Sequence, residues 1–81
     1  RKLPQSLVNV RVTDKSLYEG DEQIAAAAAD VERELEGCGR LLVRPSGTEP
    51  LIRVMVEAPT QEQADAMANK LADVVRERIG A

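Results

Sequence analysis

The sequence predicts a two-layer α+β domain of order β-α-β-β-α, with a mainly antiparallel sheet and two helices packed on one of its faces. Residues 7–12 alternate in polarity, two longer stretches repeat their apolar residues at helical spacing, and two short apolar runs between them flank a turn-rich segment. With 81 residues, the chain has room for one core and is read as a single domain over residues 1–81.

In residues 7–12, Val8, Val10 and Val12 fall on one face while Leu7, Asn9 and Arg11 fall on the other, the pattern of a half-buried strand. The period then changes. From about residue 21 to residue 36, Ile24, Ala28, Val31 and Leu35 recur at helical intervals, and Ala25 to Ala29 have the highest helix propensity available. Gly37 and Gly39 are expected to end this helix.

Residues 40–44 and 51–57 predict a hairpin around the tip Pro45-Ser46-Gly47-Thr48-Glu49-Pro50. With that six-residue tip, Arg44 would face Leu51, Leu42 would face Arg53 and Arg40 would face Met55. Leu41, Val43, Ile52, Val54 and Val56 would share the helix-facing side. Thr60 and Gln63 have capping-box spacing, and Ala64, Met67, Leu71, Val74 or Val75, and Ile79 form the stripe of a closing helix.

Composition narrows the function classes. Eleven basic and fourteen acidic residues leave a net charge of -3, and Tyr18 is the only aromatic, which argues against general nucleic-acid or anionic-membrane binding. The absence of histidine removes the commonest general base and metal ligand. A lone Cys38 makes no internal disulfide and no zinc site, and between two glycines it reads as a small loop residue. Eleven of the 35 apolar residues are alanine, so the core is expected to be thin and aliphatic. The chain begins with Arg1 and carries no apolar run near the ~18 residues of a membrane span. It reads as a soluble module of a longer protein, with residues 1–6 available as a linker end.

Positive charge is concentrated at the hairpin: residues 13–36 hold eight acids against Lys15 and Arg33, whereas residues 37–57 hold three arginines against Glu49 and Glu57. In the register above, Arg44 and Arg53 become diagonal neighbours on the open sheet face, roughly 7–8 Å apart. Two such cations repel unless solvent screens them or an anion lies between them. The tip adds the hydroxyls of Ser46 and Thr48, and at Gly47 a backbone free to take a positive φ and approach a ligand. Successive loop N–H groups can cradle an anion, and guanidinium is shaped for phosphate. Composition alone balances this against ordinary turn chemistry beside a solvated strand.

The segment GRLLVRPSGTEPLIRVMVE, residues 39–57, resembles the phosphate-binding loop and flanking strands of the α-D-phosphohexomutases, and LVNVRV, residues 7–12, is similar to the strand opening that family's last domain. Its form looks like the bacterial branch acting on glucosamine phosphates. The resemblance implies a four-domain cytoplasmic enzyme interconverting glucosamine 6-phosphate and glucosamine 1-phosphate through a first-domain phosphoserine and a bisphosphate intermediate. Magnesium would be held by aspartates outside this chain.

By similarity Arg44, Ser46, Gly47 and Thr48 bind the non-reacting phosphate, with Arg53 a further contributor and Glu49 orienting Arg44, meeting the sugar or merely closing the turn. No segment here resembles the family's serine loop or its D-x-D-x-D cluster, so the domain alone is expected to be inactive, its partners being the phosphosugar and the upstream domains. Two alternatives stand beside this reading: a phosphomannomutase or phosphoglucomutase domain, which shares the clamp, and a non-catalytic regulatory module of similar layers.

Overall fold

The computed structural model describes residues 3–14 and 16–80. The elements run β1 (Gln5–Arg11), α1 (Leu17–Gly20), α2 (Glu22–Leu35), β2 (Arg40–Pro45), β3 (Leu51–Glu57) and α3 (Gln61–Ile79). The expected β-α-β-β-α plan is present, with one short helix added before α2. α1 is a single turn, too brief to leave a periodicity, and it follows a local bend in which the Asp14 carboxylate accepts from the Ser16 N–H (3.0 Å) and hydroxyl (2.7 Å).

The three strands are antiparallel in the order β1-β3-β2, so β3 is central and the hairpin partner β2 lies at an edge. An edge strand tolerates Pro45, which has no N–H to donate. β1 begins at Gln5 rather than residue 7, pairing Gln5 with Glu57, and the Pro4 carbonyl accepts from the Ala58 N–H at 3.1 Å.

The face assignment of every hairpin residue holds, but the hairpin register is offset by two residues from the one expected. Arg40 pairs with Glu57, Leu42 with Met55 and Arg44 with Arg53. β2 continues through Pro45, and the Ser46 N–H closes the hairpin on the Leu51 carbonyl at 2.9 Å, which shortens the tip. This register also sets opposite charges across from one another. Glu57 accepts from Arg40 Nε at 2.8 Å on one side and from Gln5 Nε2 at 2.7 Å on the other.

Asp21 caps α2 by accepting from the N–H groups of Gln23 and Ile24, and Thr60 caps α3 by accepting from Gln63. α2 stops at Leu35 because Gly37 adopts φ 79°, a left-handed conformation that a side chain would strain. Gly39 then passes against β3 so closely that a Cβ would overlap the Glu57 carbonyl oxygen.

The core lies between the sheet and the helices. Ile24, Val31 and Leu35 of α2 and Ala64, Ala68, Leu71, Ala72, Val75 and Ile79 of α3 meet Val10, Ile52, Val54 and Val56 of the sheet, all buried. Of the two valines left open at the stripe, Val75 is buried and Val74 packs at the margin, as do Met67 and Ala28. Among the described residues no polar or charged side chain is buried. The other sheet face stays open, so strand residues there are free to serve something other than the core.

Candidate anion-binding site

The open sheet face is organised in cross-strand rows. Gln5, Glu57 and Arg40 make a bonded polar row; Leu7, Met55 and Leu42 make an apolar one; Asn9, Arg53 and Arg44 make the third, beside the hairpin tip. In this third row Arg44 and Arg53 are direct neighbours, closer than the diagonal placement expected from a longer tip. Directly paired residues have Cα atoms about 4.5–5.5 Å apart. Among the described residues neither guanidinium forms an ion pair.

The tip bends over this pair. Arg44, Pro45, Ser46, Gly47, Thr48 and Arg53 line one open cleft of about 390 Å³. Five of these six were singled out from sequence; Pro45 was not, having no side-chain donor to signal a role. Within the tip, the Ser46 N–H is committed to Leu51, the Glu49 N–H donates to Ser46 Oγ at 3.4 Å, and the Leu51 N–H donates to the Glu49 carbonyl at 2.8 Å. The Gly47 and Thr48 N–H groups have no acceptor among the described residues. Two guanidinium forks, a threonine hydroxyl and two successive main-chain donors therefore share one cleft, the donor set of an anion site.

Gly47 differs from expectation in its reason. Its φ is not positive, and a Cβ built on it would have nothing within 4 Å, so neither backbone conformation nor packing within this chain calls for glycine there. Glu49 lies outside the cleft lining, and no bond joins its carboxylate to Arg44; its main-chain groups close the turn. Of the three roles left open by the sequence, loop closure is the one its contacts display. A smaller cavity of about 160 Å³ adjoins the cleft, with Leu7, Leu42 and Met55 beside the same two arginines. Met55 is half-buried on this open face.

Among the described residues no group of three acidic, histidine or cysteine side chains comes together to hold a metal, and no helix is long and apolar enough to cross a membrane. Cys38 is exposed on the turn after α2.

Comparison with known proteins agrees with this architecture. Residues 7–74 match the family model of the phosphoglucomutase/phosphomannomutase C-terminal domain, and the chain belongs to that family. Its curated relatives narrow the likeness further. The chain is 57% identical over 77 residues to the phosphoglucosamine mutase of Halalkalibacterium halodurans, covering 95% of this chain and 17% of that protein. It is 55% identical over 80 residues to the phosphoglucosamine mutase of Bacillus subtilis, covering 99% of this chain and 18% of that protein. The chain thus spans less than a fifth of the length of these relatives.

Among solved structures, N-acetylphosphoglucosamine mutase of Aspergillus fumigatus in complex with glucose 1,6-bisphosphate aligns with a TM-score of 0.83 at 30% identity, over 98% of this chain and 16% of that one. The same fungal enzyme with GlcNAc-6P and magnesium aligns with a TM-score of 0.77 at 31% identity, over 93% and 16%.

Proposed function

We propose that this chain is the phosphate-holding domain of a cytoplasmic phosphoglucosamine mutase, the enzyme that interconverts glucosamine 6-phosphate and glucosamine 1-phosphate. One observation carries the reading: among the described residues Arg44 and Arg53 stand side by side without counter-ions, beneath a loop whose Gly47 and Thr48 N–H groups have no acceptor there. A phosphate dianion supplies what both sets of groups lack.

In this reading Arg44, Ser46, Gly47, Thr48 and Arg53 hold the phosphate that does not react. Phosphoryl transfer depends mainly on positioning and electrostatic stabilisation, so grip on a remote group orients the reacting end of the sugar. A cleft of guanidinium, hydroxyl and main-chain donors recognises a PO3 group with little regard to the sugar carbon that bears it. That indifference suits a substrate held first by one phosphate and then by the other. The phosphoserine donor and the magnesium site belong to other parts of the enzyme, and this domain alone is inactive. The Glu49 carboxylate, outside the lining, is available to a polar group of the sugar.

Charge-assisted hydrogen bonds contribute about 1.5–3 kcal/mol each, while association costs on the order of 4–15 kcal/mol. A handful of such bonds gives affinity on the order of millimolar. The test is an NMR titration of the chain with glucosamine 6-phosphate. The reading expects saturable shifts centred on the Gly47 and Thr48 amides, lost in Arg44→Ala. Shifts spread along the helices, or a loop that does not respond at millimolar ligand, would refute it and point to a regulatory module instead.

A further inference from the structure

The described residues include eight cations, and their pairing divides cleanly. Arg33, Arg40, Lys70, Arg76 and Arg78 each form an ion pair, at 2.8–3.1 Å. Arg11, Arg44 and Arg53 form none. The three without partners come from three different strands, yet all lie on the open face at its hairpin-tip end. Arg11 pairs across β1 and β3 with Leu51, the residue that follows the tip, and Arg53 pairs with Asn9. Arg11 and Arg53 are therefore diagonal neighbours, with Cα atoms roughly 7–8 Å apart.

Arg11 is also tied to the tip through the main chain. The N–H of the next residue, Val12, donates to the Pro50 carbonyl at 2.8 Å, so the end of β1 and the loop are fastened together. A net charge of -3 and fourteen acidic residues make acids plentiful, yet none pairs with these three arginines. Like charges gathered on one face without counter-ions raise the energy of the free protein and lower it when an anion arrives.

We infer that Arg11 is a third cation serving the hairpin cleft, attracting the phosphate-monoester ligand from the β1 side through its charge. The inference rests on the clamp reading above and deepens it. Arg44 and Arg53 lie beneath the cleft; Arg11, outside its lining, flanks its β1 rim within about one Debye length at physiological salt, close enough for its charge to be felt through solvent. Its contribution is electrostatic attraction at the rim, strongest at low ionic strength.

The experiment titrates inorganic phosphate into the wild-type chain, Arg11→Gln, Arg11→Lys, Arg44→Ala and Arg40→Gln, following the Gly47 and Thr48 amides at low and high salt. Arg11→Gln should weaken binding about three- to tenfold at low salt and by less at high salt, as screening removes a charge effect. Arg11→Lys should stay within about twofold of wild type because it keeps the charge. Arg40→Gln, whose parent side chain is engaged by Glu57, should bind as wild type does. Wild-type affinity in Arg11→Gln, with binding lost in Arg44→Ala, overturns the role of Arg11 and leaves the clamp standing. A wild-type loop that ignores phosphate overturns both.

Discussion

Arg44 and Arg53 face each other directly across β2 and β3, and among the described residues no carboxylate neutralises either. Elsewhere on the same face the chain solves this problem locally: Arg40, two rows away, meets Glu57 across the same two strands. The opposed arginines are a cost to the free domain, which a phosphate held as proposed above would offset.

Replacing one of the pair should therefore separate stability from binding. Arg53→Gln is expected to raise the stability of the phosphate-free chain by roughly 0.2–1 kcal/mol, the usual size of a cross-strand pair effect. The same substitution should reduce the upward shift in melting temperature that phosphate produces in wild type. Urea unfolding of the phosphate-free proteins and thermal unfolding with and without phosphate measure the two effects. A variant destabilised without phosphate would show that the arginine is held for packing.

Two glycines should respond in opposite ways. Gly47→Ala meets no protein atom and no forbidden φ, so its fold should be as stable as wild type or more so by about 0.4–1 kcal/mol. Its phosphate affinity should nevertheless fall, because the methyl group stands where an anion approaches the loop. Gly39→Ala pushes a Cβ into the Glu57 carbonyl and should lose about 1–3 kcal/mol of stability or more. Thermal unfolding and phosphate titration of the two variants check the contrast.

Acid should act on the cap of α2. Hydrogen bonding from the Ile24 N–H, together with Arg78 and the Gln23 N–H, holds the Asp21 carboxyl below its ordinary value of 3.8. A carboxyl depressed in the folded state stabilises fully above its unfolded value, and that stability is lost as pH falls through the folded value. Asp21→Asn keeps an acceptor for the cap but removes the titration. Its urea midpoint should accordingly fall less steeply than that of wild type below about pH 4. Parallel acid profiles for the two proteins would rule out the cap as a source of acid sensitivity.

The hairpin explains where sequence reasoning reached its limit. Alternation in Leu41, Val43, Ile52, Val54 and Val56 assigns each residue to a face, because a one-residue slip would turn the valines to solvent. A slip of two residues preserves every face and so leaves no trace in the pattern. The difference between Arg44 opposite Leu51 and Arg44 opposite Arg53 is such a slip. It is decided by the bond from Ser46 to Leu51 and by the charge match of Arg40 with Glu57.

What the sequence determined by itself is local. The helix cap at Thr60, the apolar stripes, the stop at Gly37 and the identity of the tip residues follow from side-chain chemistry within a few positions. Tertiary structure alone decided that β3 is central and that Arg11 of β1 comes to the same end of the sheet as the hairpin. The reason is that strand order brings together residues about 40 positions apart, such as Arg11 and Leu51, through hydrogen bonds that no local pattern encodes.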